Sequence, residues 1–300
     1  NKLKKLGLTA LAGSLVATSV VAGDLSVTGG ASLDYSSSSE AVGNGWSMGD
    51  SVTFKGSGDV NGMDVTLSIE LDGGSYDDYS VKIDTGDSGA ITFSGNSVGA
   101  GGLNAYGDKV PTAYEEVYDA TDGADHGIVG NISNVGSFAY NGTFGSLTVS
   151  AFLNPASKSS SSVVLVYADL IDGLTIGAGT GEVTTTQDEE TFYATYVTGG
   201  VTLGYQRSSI DYSSTSTSDT DSDHFGVSFA VNEDLTISAG RQEVDFSGGT
   251  AKEDEESSGV SASYTMGGLT IAGHANSTDS QHGISGEDET SKSINFAFAF

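Results

Sequence analysis

Ser291-Lys292-Ser293-Ile294-Asn295-Phe296-Ala297-Phe298-Ala299-Phe300 decides how the remaining sequence is read. From Ile294 onward, large apolar residues occupy every second position, with Asn295, Ala297 and Ala299 between them. A period of two describes a strand with one apolar face and one small or polar face. In water, a last strand of this kind would offer an apolar edge to any other chain. It makes sense if the apolar face meets lipid and the edge pairs with the first strand, closing the sheet on itself. A core strand of an ordinary β-sandwich has the same local pattern, so the rest of the chain must choose.

Composition points the same way. The 300 residues include 43 glycines and only 2 prolines, and hydrophobic content is 37%. That is little for a large solid core, yet 13 tyrosines and 12 phenylalanines remain. A hollow barrel has this profile, because half of each strand faces water. No cysteine is present, which excludes disulfides and a thiol nucleophile. A formal charge of −29 with 11 basic residues argues against nucleic-acid binding.

The first 22 residues read as an address. Lys2, Lys4 and Lys5 precede an apolar run from Leu6 to Val21, and Val20-Val21-Ala22 gives the small residues that a signal peptidase reads. Residues 1–22 are therefore expected to be a signal peptide, and 23–300 an outer-membrane β-barrel. A membrane anchor is the alternative, weakened by the many small residues and by the strand pattern that follows at once. Without this segment the three lysines go and no acid does, leaving 8 basic and 40 acidic residues, a net −32.

The mature chain divides into sixteen alternating stretches, an even number. Met63 to Leu71 is the clearest, with Met63, Val65, Leu67, Ile69 and Leu71 set against Asp64, Thr66, Ser68 and Glu70. Asn61-Gly62 before it is a strong hairpin turn. Tight turns are expected to alternate with long polar loops such as Ser36–Gly45, Ser208–Asp223, Ser247–Ser258 and Asn276–Thr290. Loops sorted by side belong to an outer-membrane barrel; a sandwich has no reason to sort them. Tyr35, Trp46, Tyr79, Tyr205, Phe225, Tyr264 and Phe300 fall near strand ends, as interfacial aromatic girdles do. The expected fold is thus all-β: a transmembrane antiparallel barrel of sixteen strands.

At this point the sequence resembles the Gram-negative general porins, most closely the acidic porins of alphaproteobacterial type. The resemblance rests on the leader with its Val20-Val21-Ala22 region, the opening strand Asp24 to Asp34, the long third loop and Phe300. It is architectural, covers the whole chain and includes no single diagnostic motif. It implies a homotrimer of water-filled diffusion pores, each with its third loop folded into the lumen. It also implies that Phe300 is the signal read by the outer-membrane insertion machinery. The family's lumenal arginine cluster is missing, because only Arg207 and Arg241 remain. That departure implies a more cation-favouring constriction.

Asn96 to Ser133 is the longest stretch without strand pattern, and long unstructured loops in compact proteins are usually functional. It carries Asp108, Glu115, Glu116, Asp119, Asp122 and Asp125 with the single basic Lys109. Folded inward, it would line one pore wall with carboxylates, attracting cations; the plain alternative is an acidic surface loop. By strand phase, Lys55, Glu70 and Lys82 face the lumen, with Lys55 opposite Ser68 and diagonal to Glu70. They could form a positive wall across the constriction, or simply solvate the lumen. Arg207 and Arg241 fall on the outer phase, where they are expected above the lipid band or behind a bulge.

Catalytic signals are poor. His126, His224, His274 and His282 are scattered without metal-ligand spacing, and no nucleophile elbow is present. Gly177-Ala178-Gly179-Thr180-Gly181 precedes no helical pattern and reads as strand glycines, not a phosphate loop. No cofactor is expected; the acidic runs Asp219–Asp223 and Glu253–Glu256 could hold loosely bound divalent cations such as calcium. The expected function is passive diffusion of small hydrophilic solutes and ions. A substrate-specific channel of the same fold and an exported β-rich surface protein or adhesin without a pore are the alternatives.

Overall fold

The protein is described by a computed structural model covering residues 23–39, 44–96, 101–119, 127–130, 132, 135–156, 160–214, 216–248 and 252–300. The expected signal peptide lies outside the described residues. Sixteen strands follow one another: β1 (Asp24–Ser38), β2 (Trp46–Val60), β3 (Met63–Asp72), β4 (Ser75–Asp84), β5 (Ala90–Asn96), β6 (Ser137–Phe144), β7 (Leu147–Leu153) and β8 (Ser161–Ala168). The second half comprises β9 (Leu174–Thr184), β10 (Gln187–Thr198), β11 (Val201–Tyr212), β12 (Asp219–Ala230), β13 (Leu235–Ser247), β14 (Glu255–Met266), β15 (Leu269–Asp279) and β16 (Glu289–Ala299).

Each strand pairs antiparallel with its sequence neighbours, and β1 pairs with β16, so the sheet is a closed barrel. At the seam Tyr35 faces Ile294 and Ala31 faces Phe298. Beyond β16, Phe300 exchanges both backbone bonds with Gly29, at 2.8 and 3.0 Å. Closure pairs the ladder groups that an open edge would leave bare, which is what a chain in hydrocarbon requires.

Alternation places the side chains. On β8, Val163, Leu165 and Tyr167 are exposed, whereas Ser162, Val164 and Val166 are buried. The closing strand follows the same rule: Phe298 is 47% exposed and Phe300 79%, so the final phenylalanines do not pack in a dry core. The sandwich reading fails on this point and on the β1–β16 pairing.

Turn chemistry fixes the registers. Asn61 and Gly62 both have positive φ, at 57° and 82°, the pair of angles a two-residue hairpin needs to match strand twist. Connections after even-numbered strands are all short. Those after odd-numbered strands include the longest ones but also two tight turns, 73–74 and 185–186, that the expected alternation did not contain.

The long loops of the second half are shorter than expected. They span 213–218, 248–254 and 280–288, because β11 to β16 continue well past the apolar stretch. The ladder needs only backbone partners, and above the lipid the outer face has no reason to stay apolar. Hydrophobic alternation therefore ends before the strand does. As a result Asp219, Asp221 and Asp223 lie within β12, and Glu255 and Glu256 within β14.

Arg207 and Arg241 lie on the exposed face, as strand phase required, and no register shift occurs beside them. Arg207 is ion-paired with Asp223 at 2.8 Å and with Asp221 at 3.8 Å, and Arg241 with Glu256 at 3.0 Å and Glu243 at 3.3 Å. Tyr205 and Phe225 pair in the row of Arg241, their rings tilted at 36° with centroids 4.7 Å apart.

Candidate functional site

The segment between β5 and β6 crosses the polar face of the sheet in sequence order. Gly102 donates its amide to Ser150 Oγ on β7 (2.9 Å), and Leu103 to Ser162 Oγ on β8 (3.0 Å). Lys109 donates to Gln206 Oε1 on β11 (2.6 Å), Ala113 to Ser238 Oγ on β13 (2.9 Å), and Tyr114 to Ser261 Oγ on β14 (3.0 Å). The carbonyls of Glu116 and Asp119 accept from Asn276 on β15 (2.7 Å) and Ser291 on β16 (3.0 Å). An irregular segment has no ladder of its own, so small polar side chains of the barrel supply the partners its backbone must have. All these side chains alternate with the exposed apolar ones and so belong to the opposite face.

Gln206 makes several of these contacts at once. Besides accepting from Lys109, its amide donates toward the carbonyls of Tyr106 (3.1 Å) and Gly107 (3.0 Å) and toward Thr191 Oγ1 (2.8 Å).

Packing complements the hydrogen bonds. Leu103 is fully buried against Val164, Val166 and Tyr193, together with Val129 and Ile210. Farther along, Gly204, Gly226, Gly240 and Gly259 stand side by side on β11 to β14 through direct pairing. Their missing side chains make a trough in the wall. A Cβ at Gly204 would collide with Pro111, one at Gly226 with the side chain of Val110, and one at Gly240 would meet Val117 at 3.0 Å. The β9 glycines play the same part, since Cβ atoms at Gly179 and Gly181 would press on Leu103 at 3.0 and 2.9 Å.

The carboxylates anticipated in this segment differ in environment. Asp108 is mostly buried: one oxygen accepts from the Val110 amide (2.7 Å), and Oδ2 accepts from Tyr118 (2.8 Å) and lies 3.0 Å from His224 Nδ1. Burial opposes its ionisation, but the His224 imidazole and these donors hold its carboxyl below the usual range. Glu116 is half-buried; desolvation, then the charges of Asp108, Asp119 and Glu115, push its carboxyl up to about 9. Asp119 accepts the Glu116 amide at 2.8 Å. Glu115 is exposed. Asp122, Asp125 and His126 lie outside the described residues.

The hydrogen bonds described between segment and strand side chains go to β7, β8 and β10–β16. The anticipated basic residues stand elsewhere. Lys55 on β2 is opposite Ser68, and Lys82 on β4 is opposite Thr66 with its amine 3.0 Å from Asp84. Glu70 falls at a register shift on β3, where Leu71 rather than Glu70 resumes the pairing with β4. Among the described residues no ion pair joins Lys55 to Glu70.

Sequence reasoning missed His224, Gln206 and His274. His274 lies between Ser291 Oγ (3.3 Å) and Ser293 Oγ (2.9 Å) and stacks on Tyr114 at 6.1 Å. Their signal was an inward phase on strands, which becomes meaningful only once the segment that covers them is placed.

The barrel fold recurs in known proteins. A family profile for Gram-negative porins matches residues 7–300. Among solved structures, a loop-L8 deletion mutant of OmpT, an outer membrane protein of Vibrio cholerae, superposes with a TM-score of 0.71 at 14% identity, covering 93% of this chain and 99% of that one. An anion-selective porin from Comamonas acidovorans gives 0.66 at 14% identity over 93% and 100% of the two chains. A mutant of the Rh. blastica porin gives 0.64 at 12% identity over 92% and 100%. A search of curated proteins gave no match. With its closed sixteen-strand barrel and a profile match over nearly its whole length, the chain belongs to the Gram-negative porin family of the bacterial outer membrane.

Proposed function

We propose that this porin is a passive, cation-favouring diffusion pore for small hydrophilic solutes and not an enzyme, with segment 96–133 folded into the lumen as its constriction. One observation carries the reading: segment 101–119 is hydrogen-bonded across the polar face of β7 to β16 while crowding four carboxylates beside a single lysine. In a closed sheet the face opposite the exposed apolar side chains encloses the lumen. Crowded carboxylates in a narrow aqueous space raise local cation concentration and repel anions. Lys55 and Lys82, on the wall that the described bonds leave free, would form the positive side of a transverse field.

The fold alone does not choose the sign, since an anion-selective porin shares it at 14% identity. Charge must decide, which makes the test electrical. Purified protein in a planar bilayer under a salt gradient should give stepwise conductance with a cation-signed reversal potential. An anion-signed potential defeats the selectivity, and properly folded protein without conductance defeats the pore.

We also propose a homotrimer, as in the trimer form of the Vibrio cholerae OmpT, with Phe300 acting in assembly through the insertion machinery. Phe300 holds the seam to Gly29 by two backbone bonds. Deleting it should lower the yield of heat-dissociable trimer from outer membranes on an unheated gel. A wild-type protein that runs as monomer refutes the trimer, and unchanged trimer yield refutes the role of Phe300.

A further inference from the structure

His224 is 3% exposed. Its Nδ1 lies at ion-pair distance, 3.0 Å, from Asp108 Oδ2 but makes no hydrogen bond, which is unusual for a buried ring nitrogen. The ring is held in place, with the Tyr118 ring edge-on at 5.6 Å and 71°. Asp108 is fixed as well, by the Val110 amide and the Tyr118 hydroxyl. Glu116 brings a second carboxylate, and ligand atoms of Asp108, Glu116 and His224 lie within 4.8 Å of one another. A cavity of about 10 Å³ bounded by Val110, Pro111, Glu115, Glu116, Val117 and His224 adjoins them, about the room that one water-sized occupant takes.

We propose that Asp108, Glu116 and His224 form a binding site for a divalent transition metal, with Zn²⁺ the ion of choice. Two carboxylate oxygens and one imidazole nitrogen, with a fourth position for water, suit a four-coordinate borderline ion. Calcium prefers six to eight oxygen ligands, which three side chains do not provide. An ion at about 2.0–2.2 Å from each ligand sets them roughly 3.3–3.6 Å apart, so side-chain shifts of about 1 Å close the site. Val110 and Tyr118 then act on the metal through Asp108, as outer partners of ligating carboxylates do. Two ligands come from the segment after β5 and one from β12, so the ion staples the segment to the wall. The site stands on these contacts and not on the sign of ion selectivity.

The test is calorimetric titration of Zn²⁺ into EDTA-treated, detergent-solubilised full-length protein. Saturable binding at one ion per chain is expected, with a 100-fold excess of Ca²⁺ failing to compete. His224→Ala should abolish that site, and Tyr118→Phe should weaken it ~10- to 100-fold. Absence of saturable Zn²⁺ binding, equal competition by Ca²⁺, or unchanged binding in His224→Ala overturns the site. Should His224→Ala fail to fold, zinc-edge absorption on the loaded wild type decides: one nitrogen among oxygen ligands supports the site, and an all-oxygen shell overturns it.

Discussion

Gly226→Leu is expected to lift the stretch around Val110 and Pro111 from the barrel wall while the barrel still forms. The added side chain would enter the space of Val110, with the Pro111 carbonyl 3.0 Å from its Cβ. The β-ladder on either side, to Gly204 and Gly240, needs only the backbone. Overpacking of this kind costs about 1–3 kcal/mol, and here the segment yields more readily than the sheet. Segment opening then becomes about 5- to 150-fold more populated, at 1.36 kcal/mol per factor of ten. Lys109, half-buried at the edge of the trough, reports it: trypsin should cleave after Lys109 faster by that factor in the intact barrel. Gln206→Leu, which strips the Lys109 amide and two carbonyls of their partner, should act in the same direction, since each unsatisfied buried group costs about 1–3 kcal/mol. Gly56→Ala is the control, because nothing lies within 4 Å of its Cβ. Equal cleavage rates in all variants would mean that the trough does not hold the segment.

The barrel was legible because its determinants are local. Two-residue periodicity, Asn61-Gly62 and the Gly267-Gly268 turn each announce themselves within a few positions, and all sixteen strands lie where that rhythm put them. Strand ends were less legible: Ser208 to Tyr212 and Asn276 to Asp279 keep the ladder without keeping an apolar face. The segment after β5 could be recognised as different, and its acidity counted. Its seat could not, since it depends on registers between strands joined by long connections. Gly226 pairs with Gly240 across the short 231–234 connection, so half of the glycine trough was within reach of sequence. Gly204 and Gly259 join it only across 213–218 and 248–254, whose lengths fix no register. His224 illustrates the same limit: it is 116 positions from Asp108, and neither residue predicts the other.

Reversing the charge at Glu115 is expected to produce the largest change in ion selectivity. Glu115 is exposed on the segment, whereas Asp108 and Glu116 of the same segment are buried to differing degrees. A unit charge about 6 Å from a passing ion in water contributes about 0.7 kcal/mol. Glu115→Lys changes the local charge by two, hence about 1.4 kcal/mol, or roughly tenfold for each ion. Cations lose what anions gain, so the permeability ratio should fall by about a hundredfold in dilute salt. At 0.1 M the screening length is about 10 Å and the effect persists; at 1 M it is about 3 Å and most of it vanishes. Glu115→Gln should give half the logarithmic shift, which separates a charge effect from a displaced segment. Reversal potentials in paired salt gradients read all three quantities. A ratio that ignores both substitutions at 0.1 M would move the selecting charges away from Glu115, toward the acidic strand ends around Asp219 to Asp223 and Glu253 to Glu256. A ratio that shifts equally at 0.1 and 1 M would show that the substitution reshapes the passage and does not act through its field.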